Sequence, residues 1–430
     1  MGLAPPRGTQ DLLPPHGDRM LALYDRAAAL ARLYGYRYVE TPVFEATELF
    51  ARTSGATSDV VSKEMYTFTD RGDRSLTLRP EGTAPVMRAY LNARHDLGTP
   101  FKAYYLTRMY RYARPQAGRY REHRQFGVEV FGAQAPTADV EVITLGDRFL
   151  TELGLVRYEL QINAIGDEVC RPAYRELLVA YLADNESRLT DEHRTRYDES
   201  PLRVLDCKDE ACREVAVAAP RITDHLCAAC AAHFAAVLEG VEAAGLRPVV
   251  TPTLVRGLDY YTRTAFEFVS EALAATGSAQ QATLFGGGRY DGLAEALGGP
   301  AVAGVGFGMG LERVLLAVDE AAVVSPAEPA LRAFVVTFGD DAPRRAGALV
   351  TQIRAAGIAA GAPYDERPLK AQLKMADRAG AVFAVLEGDQ EAAAGNVTIR
   401  RLADGIQKTV PAGALLSWLA RLDDWTEAPS

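Results

Sequence analysis

The sequence predicts an α+β fold. An antiparallel sheet with flanking helices occupies residues 1–325, a helical insertion interrupts it at about 170–245, and a separate α/β domain follows at 331–430. Three patterns indicate this. Two strand-like runs, 102–111 and 124–131, flank a polar loop, as in a long hairpin. The insertion is rich in Ala, Glu and Arg at helical spacing. After residue 331, strand-like and helix-like segments alternate, as is typical of an α/β domain.

The elements of the first part follow from periodicity and from turn residues. Leu21, Tyr24, Ala28 and Ala31 recur at helical spacing, and Gly35 is a natural stop. The other expected elements of this part are strands at 36–45 (interrupted by Pro42), 75–79, 157–163, 248–255 and 260–269, helices at 83–91 and 138–153, and a Gly-rich strand at 304–310 that enters a helix at 311–318.

The C-terminal domain is predicted in the same way. Residues 323–330 contain Pro and Ser and predict a linker. Beyond it we expect strands at 333–338, 382–386 and 396–402, and helices at 345–355, 369–378 and 413–422.

Composition bounds the class of protein. The 430 residues are 48% hydrophobic and 24% charged, as in ordinary globular proteins. No apolar run reaches the roughly 18 residues of a membrane helix, and the N-terminus lacks the apolar core of a signal peptide. Five cysteines are too few for a disulfide scaffold, and the odd number suits a reducing compartment. We therefore expect a cytoplasmic protein without membrane association.

The charge pattern is uneven. The net charge of -9 argues against broad nucleic-acid binding. Residues 102–124 nevertheless hold seven lysines or arginines and one acid, Glu122, with five tyrosines among them. Such a pattern suits a polyanion that offers flat rings for stacking, and it equally suits a solvated pair of basic strands.

Two short stretches combine arginines, tyrosines and glycines. They are 254–262 (LVRGLDYYT) and 284–293 (LFGGGRYDGL). Arg256 and Arg289, close in sequence to Tyr260, Tyr261 and Tyr290, need anionic or carbonyl partners if they are buried. These residues predict a small polar pocket.

The glycines of 304–310 (GVGFGMG) alternate, but they do not match a dinucleotide-binding fingerprint, because Met309 and Leu311 stand where that pattern needs glycine. Alternating glycines indicate a strand that a flat ligand approaches closely, with Arg313 projecting towards it. The simpler interpretation is tight strand–helix packing beside a surface arginine.

The cysteines raise the question of zinc. Cys227 and Cys230 form a CxxC pair, and Cys207 and Cys212 lie upstream. In a helical, Ala-rich segment such a pair more often marks small buried thiols than a metal site. The six histidines form no metal-binding or nucleophilic motif. We therefore expect no resident metal, and chemistry that depends on arginines, acids and tyrosines.

Together these motifs resemble the class II aminoacyl-tRNA synthetases, and among them the histidyl-tRNA synthetases, over nearly the whole chain. Residues 35–44 (GYRYVETPVF) are similar to motif 1, 109–116 with 125–131 to motif 2, and 306–313 (GFGMGLER) to motif 3. The stretches at 254–262 and 284–293 resemble the histidine-specific motifs, and 79–83 (RPEGT) belongs with them. The resemblance implies a class II sheet, a helical insertion and a C-terminal anticodon-binding domain.

The resemblance also implies an activity: ATP-dependent ligation of histidine to tRNA(His) through a histidyl-adenylate, with Mg²⁺ accompanying ATP. It implies that Arg111 holds the α-phosphate and Arg313 the γ-phosphate. Arg256 lies against the α-phosphate and the carboxylate, and Arg119 is a further phosphate ligand. Motif 1 implies a homodimer.

The implied histidine and tRNA contacts are a separate set. Glu81, Thr83 and Gln125 would hold the α-amino group. Glu129 and Tyr261 would bond the two imidazole nitrogens, and a site that satisfies both rejects other side chains. The remaining residues implied are Tyr290, which closes the pocket, Arg114 and Gln116, which approach the tRNA acceptor end, and Lys370, Gln372 and Lys374, which lie on a helix of the anticodon domain.

One position departs from the family. Class II motif 2 usually has a glutamate for the adenine amino group where this chain has Ala113. A backbone carbonyl or another acid, such as Glu122, would have to substitute, or ATP binding is weaker by ~1–2 kcal/mol. Two alternatives remain. One is a non-catalytic, synthetase-like regulatory subunit of histidine biosynthesis, and the other is a zinc-dependent binding module built on the four clustered cysteines.

Overall fold

The computed structural model describes residues 3–53, 60–207, 209–258, 260–276, 282–318 and 331–420. The chain divides into two compact units, 1–324 and 325–430. The expected linker at 323–330 lies outside the described residues, as does the end of the helix expected at 413–422.

An eight-stranded sheet organises the first unit, in the order β1-β5-β6-β11-β10-β9-β7-β8. Its outer pairs, β1 with β5 and β7 with β8, are parallel, and all its other pairs are antiparallel. A second sheet has the order β2-β4-β3. The strands are β1 (Arg37–Tyr38), β2 (Phe44–Ala46), β3 (Tyr66–Thr69), β4 (Ser75–Leu78), β5 (Phe101–Tyr110), β6 (Glu122–Phe131), β7 (Tyr158–Gly166), β8 (Pro248–Val250), β9 (Thr262–Ser270), β10 (Thr283–Arg289) and β11 (Gly304–Gly310).

Helices cover the sheet and form the insertion. The described helices of this unit are α1 (His16–Leu33), α2 (Thr47–Thr53), α3 (Thr83–Leu97), α4 (Pro136–Glu152), α5 (Arg171–Asp184), α6 (Asp191–Arg194), α7 (Leu202–Leu205), α8 (Glu210–Ala218), α9 (Ala228–Ala243), α10 (Glu271–Thr276), α11 (Leu293–Ala296) and α12 (Leu311–Ala317). The apolar residues of α1, α4 and α9 pack on one face of the large sheet, which forms the main core. A second core on the other face is rich in tyrosine and contains Tyr105, Tyr261 and Tyr290.

The predicted long hairpin is confirmed, because β5 and β6 pair from Phe101 opposite Phe131 to Tyr110 opposite Glu122. The α+β class is confirmed as well, and so is the helical insertion, whose helices α5, α7 and α8 and the 3₁₀ turn at Ile222–Asp224 enclose a core of their own.

The strand expected at 36–45 is wrong. The chain forms two short strands there instead, β1 in the large sheet and β2 in the smaller one. Pro42 cannot donate to a ladder. The buried Arg79 also takes the backbone oxygens of this segment, since its Nη1 donates to Thr41 O and to Pro42 O at 3.1 Å, and its own N–H donates to Val43 O.

The strand expected at 248–255 is too long. β8 ends at Val250, and the chain then turns, with Leu254 N donating to Thr251 O at 2.9 Å. The sequence analysis missed the strands at Tyr66–Thr69, Thr283–Arg289, Ala360–Gly361 and Gln407–Pro411.

The second unit has a five-stranded sheet in the order β13-β12-β14-β15-β16, parallel from β13 to β14 and antiparallel beyond. Its strands are β12 (Leu331–Thr337), β13 (Ala360–Gly361), β14 (Ala381–Glu387), β15 (Asn396–Arg401) and β16 (Gln407–Pro411). Its helices are α13 (Ala342–Ala355), α14 (Leu369–Arg378), α15 (Asp389–Ala394) and α16 (Leu415–Leu419). The helix predicted at 369–378 is confirmed.

Within the described part of the chain, no single helix has both the length and the apolar composition to cross a membrane. One bent pair, Glu210–Asp224 with Ala228–Ala243, meets both criteria only when its two members are taken together.

Candidate functional site

The site lies on a face of the large sheet that glycines keep open. A Cβ on Gly308 would come within 2.5 Å of the Gln125 amide, and a Cβ on Gly286 within 2.6 Å of the Arg256 guanidinium. A Cβ on Gly306 would collide with the Glu129 carboxylate. Polar side chains therefore lie directly over neighbouring strands, in space that any other residue would fill.

A cleft of about 360 Å³ opens over this face. Four of the predicted phosphate-binding or catalytic residues line it together: Arg111, Arg119, Arg256 and Arg313. Gln116, Gln125 and Ala113 also line it. The structure thus gathers arginines that are up to about 200 positions apart in the sequence.

Three of these arginines are each held by a bond that leaves other N–H donors of the guanidinium without a partner in the described part of the chain. Arg111 Nε donates to Pro80 O, and Arg313 Nη1 donates to Thr283 O, both at 2.7 Å. Arg119 Nη2 donates to a Glu64 carboxylate oxygen at 2.7 Å. Since a guanidinium has five N–H donors, fixed positions remain for anion oxygens.

Arg256 is enclosed by an acidic and an aromatic side chain. Its guanidinium forms an ion pair with Glu267 and lies 5.6 Å from the centre of the Tyr261 ring. Its Nε is buried without a partner among the described residues. A buried unpaired donor is costly, so this one is positioned for a ligand that brings an acceptor.

The cleft carries a positive field. His123 lines it, and burial together with the charges of Arg111, Arg313 and Arg119 lowers the pKa of His123 to about 3. Burial and the neighbouring Arg119 also lower the pKa of Arg313. Such crowding of cations is relieved when an anion binds. Sequence reasoning missed His123, because no motif marked it as part of the site.

Next to the cleft, the chain encloses a carboxylate. Glu129 on β6 is fully buried, accepts from Thr83 Oγ1 at 2.7 Å and from Tyr105 OH at 3.4 Å, and is bonded by the Tyr290 hydroxyl. Burial raises the pKa of Glu129 to about 8, although the Tyr290 and Thr83 hydroxyls favour its anion. A polar or cationic partner would restore the charged form.

The walls of this buried pocket are aromatic. The Tyr261 and Tyr290 rings lie 6.2 Å apart, and Tyr260 lies 4.8 Å from Tyr261. Tyr105 OH also donates to Gln125 Oε1 at 3.2 Å, which links the pocket to the cleft.

Glu81 closes the pocket at the start of α3. Its carboxylate accepts the backbone N–H groups of Thr83 and Ala84 at 2.7 and 3.0 Å. Burial raises the pKa of Glu81, and these N–H groups oppose that rise. The helix N-terminus thus holds an acid in place where its remaining oxygen lone pairs can meet a cation.

Arg289 does not belong to the pocket, contrary to the first expectation. It is completely buried, forms an ion pair with Asp139 on α4, and donates to the backbone oxygens of Ala133 and Ala135 at 2.9 and 3.2 Å. Its guanidinium N–H groups hold α4 against the sheet and are not directed into the pocket.

The tip of the β5–β6 loop is only partly in the cleft. Arg114 is exposed and does not line it, whereas Gln116 does. Glu122, one of the possible substitutes for the missing glutamate, is not favoured by the structure, because its carboxylate is paired with Arg108 at 3.2 Å and does not line the cleft. Ala113 itself is buried in the cleft wall.

The two cysteine pairs at 207/212 and 227/230 do not form one cluster. Cys207 and Cys212 lie with His193, whereas Cys227 and Cys230 lie with Cys170 and Asp167.

On α14, Gln372 is buried and bonded to the backbone of Thr337, while Lys370 and Lys374 are exposed.

Comparison with known proteins gives a consistent result. The family described as "Histidyl-tRNA synthetase" matches residues 8–314, and that described as "Anticodon binding domain" matches residues 332–422. The histidine--tRNA ligase of Moorella thermoacetica is 49% identical over 97% of this chain and 98% of its own length. That of Desulforudis audaxviator is 48% identical over 98% and 99%.

Solved structures agree. The apo histidyl-tRNA synthetase of S. aureus matches with a TM-score of 0.81 and 36% identity, covering 98% of this chain and 100% of that one. A structure described as an ATP phosphoribosyltransferase regulatory subunit/histidyl-tRNA synthetase from Bacillus halodurans has a TM-score of 0.61 and 22% identity over 90% and 97%, which shows a shared fold only.

Proposed function

The chain belongs to the histidyl-tRNA synthetase family. From this premise we propose which substrates its arginine-lined cleft and its buried pocket bind when tRNA is charged with histidine. The activity is that of a class II aminoacyl-tRNA synthetase specific for histidine, and the C-terminal unit is an anticodon-binding domain. The regulatory-subunit alternative is not favoured, since ligases are 43–49% identical over nearly the whole chain, whereas the structure with the regulatory description shares only the fold.

The buried pocket takes the imidazole. Glu129 accepts from one ring nitrogen and Tyr261 bonds the other, while Tyr290 closes the pocket and fixes the Glu129 carboxylate. The observation that carries this assignment is a fully buried acid with hydroxyls around it and no cation paired to it among the described residues. An apolar side chain would leave that acid unsatisfied, which penalises the wrong amino acid.

The mouth of the pocket takes the α-amino group. Glu81, Thr83 and Gln125 stand around it, and all three are already positioned by bonds within the site. This orientation turns the histidine carboxylate towards the arginine cleft. Preorganisation of this kind lowers the entropic cost of bringing two substrates together.

The cleft takes ATP. Arg111 holds the α-phosphate, Arg119 and Arg313 hold the outer phosphates, and Arg256 spans the α-phosphate and the attacking carboxylate. The first step forms a bond between a carboxylate oxygen and the α-phosphorus and breaks the bond to the β-phosphate, which leaves as pyrophosphate. Arg256 and Arg111 stabilise the charge that builds up on the α-phosphoryl oxygens.

In the second step, a hydroxyl oxygen of the terminal tRNA ribose attacks the histidyl carbonyl carbon. The bond to the adenylate oxygen breaks, AMP leaves, and the hydroxyl proton is released. Arg114 and Gln116, on the loop between β5 and β6, approach the acceptor end of the tRNA; Arg114 is exposed there.

Mg²⁺ is proposed to accompany ATP. The cleft contains carboxylates of the type that Mg²⁺ prefers: Glu267, which accepts from Thr283 Oγ1 at 3.0 Å, and Glu312, which is held by Arg124. Either would hold the ion against the phosphates, and when bound it neutralises phosphate charge.

We further propose a homodimer in the cytoplasm. The segment similar to motif 1 exposes Tyr38, Val43 and Phe44, and Phe68 beside them is exposed too. A cluster of exposed apolar side chains is typical of a protein interface. Five free cysteines suit a reducing compartment. An active monomer in sedimentation analysis would contradict the dimer.

A charging assay tests the function. The full chain with ATP, Mg²⁺, [³H]histidine and tRNA(His) is expected to form acid-precipitable histidyl-tRNA, and tRNA of another specificity serves as the control. Absence of charging by folded protein would refute the proposal and revive the regulatory role.

A further inference from the structure

Four potential metal ligands meet where the insertion joins the large sheet. Asp167 and Cys170 follow β7, and Cys227 and Cys230 stand at the start of α9. One carboxylate oxygen and three sulfurs lie within 4.8 Å of one another. Cys170 and Cys230 are buried, and the other two are half-buried. The ligation reaction uses none of them.

Two turns with the same spacing present these ligands. In the first, from Asp167 to Cys170, the Cys170 sulfur accepts the Asp167 N–H at 3.4 Å, and Asp167 Oδ1 accepts the Val169 N–H at 3.0 Å. In the second, the Cys227 sulfur accepts the Cys230 N–H at 3.5 Å. Paired ligands with two residues between them, and backbone N–H groups on the sulfurs, are the arrangement of structural zinc sites.

We propose that Asp167, Cys170, Cys227 and Cys230 bind one zinc ion in a four-coordinate structural site. A tetrahedron with Zn–S bonds of ~2.3 Å places its sulfurs about 3.8 Å apart. Since the four ligand atoms already lie within 4.8 Å of one another, closure needs movements of about 1 Å or less, which side-chain rotation supplies.

The surroundings favour a metal over inert thiols or a disulfide. Cys230 is buried, so a thiolate there needs a cation beside it. Three thiolates and a carboxylate around Zn²⁺ leave a net charge of about −2. The Arg263 guanidinium, 3.6 Å from Asp167 Oδ2, offsets part of it.

The position of the Asp167 carboxylate also favours a metal ion over a disulfide. A disulfide would join two of the sulfurs and give Asp167 no part, yet Asp167 Oδ1 lies 3.5 Å from the Cys170 sulfur and 3.9 Å from the Cys227 sulfur. A set rich in sulfur with one hard oxygen suits zinc better than calcium or magnesium, which prefer oxygen ligands.

The ion would tie the insertion to the histidine pocket. The ligand Cys170 directly precedes α5, whose first residue, Arg171, donates from Nη2 to Tyr261 O at 2.5 Å. The other pair of ligands opens α9, which closes the insertion. Zinc would thus fix both ends of the insertion beside the segment that carries Tyr261.

Metal analysis of the purified full chain tests the proposal. Inductively coupled plasma mass spectrometry is expected to find stoichiometric zinc, and the double variant Cys170→Ser/Cys230→Ser is expected to lose one equivalent. The double variant Cys207→Ser/Cys212→Ser is the matched control, because it removes two thiols of the neighbouring His193 cluster and should keep this ion. Zinc-free wild-type protein, a Cys227–Cys230 disulfide in it, or an unchanged zinc content in the first variant would overturn the proposal.

Cobalt substitution gives a readout that needs no variant. The wild-type chain reconstituted with Co²⁺ should show intense thiolate-to-cobalt charge-transfer absorption together with the visible bands of a tetrahedral ion. A spectrum without thiolate bands would overturn the site even if the serine variant failed to fold. Neither result bears on histidine ligation, which is assayed separately.

Discussion

Replacing Gly308 by alanine perturbs the proposed histidine site through a single methyl group. Gly308 lies on β11, and its missing Cβ leaves room for the Gln125 side chain of β6. The new Cβ would lie 2.5 Å from Gln125 Nε2 and 2.9 Å from its Cδ. Because both are atoms of a flexible side chain, the amide must move while the sheet stays in place.

The size of the effect follows from these distances. Carbon and nitrogen atoms pack at roughly 3.5 Å or more, so the amide must retreat by about 1 Å. That retreat breaks its 3.2 Å bond with Tyr105 OH and displaces the proposed partner of the α-amino group. A displacement of about 1 Å can cost on the order of 100-fold in rate, or about 2.7 kcal/mol. Alanine costs less backbone entropy than glycine in a strand, which offsets part of the steric cost, so stability should change by at most ~1–2 kcal/mol.

The assay is histidine-dependent ATP–pyrophosphate exchange. The Gly308→Ala variant should lose about 10- to 100-fold in kcat/KM for histidine while its circular dichroism and melting curve stay close to those of the parent. Gly347→Ala on α13, where a new Cβ meets nothing within 4 Å, is the matched control and should behave as the parent. A folded Gly308→Ala variant with unchanged kcat/KM for histidine would refute the placement of Gln125.

Three further predictions test other parts of the site. Arg256→Ala should lower the exchange rate by at least about 10²–10³-fold while tRNA binding in a filter assay persists, and near-normal exchange would remove Arg256 from the reaction. Ala113→Glu restores an acceptor in the cleft wall and should lower the KM for ATP by about 5- to 30-fold, corresponding to ~1–2 kcal/mol; an unchanged KM would show that the adenine contact is made elsewhere. Glu129→Gln tests the raised pKa of the buried acid through the pH dependence of the protein's stability. Since the pKa of Glu129 rises from 4.5 to about 8 on folding, the native state holds a proton that the unfolded state releases, and stability falls as pH rises between these values. Urea unfolding at pH 5 and pH 8 should therefore show the glutamine variant gaining on the parent at the higher pH, and a constant difference would contradict the raised pKa.

Local patterns predicted much of the fold. The polar loop between two strand-like runs identified β5 and β6, and segments with helical character identified α1 and α14. The predictions failed where a contact with a residue distant in sequence determines the local structure. Arg79 occupies the backbone oxygens near Pro42 and ends the expected strand, and no local signal reveals that contact.

The site divides in the same way. Motif spacing indicated Arg256 and Arg313 as site residues. It could not show that Arg289 forms an ion pair with Asp139, 150 positions away. It also could not show that the CxxC pair at Cys227 meets Asp167, 60 positions upstream. Pairings between residues so far apart depend on the register of β6, β10 and β11 and on the return of the insertion, which sequence periodicity does not encode.

We expect a buried pocket built around Glu129 and Tyr261 to select histidine for activation in the arginine cleft. ATP–pyrophosphate exchange measured with each standard amino acid in turn tests it most directly. Exchange is expected with histidine, and background rates are expected with every other amino acid, phenylalanine and glutamine included. Exchange that does not require histidine, or that another amino acid supports equally well, would contradict it.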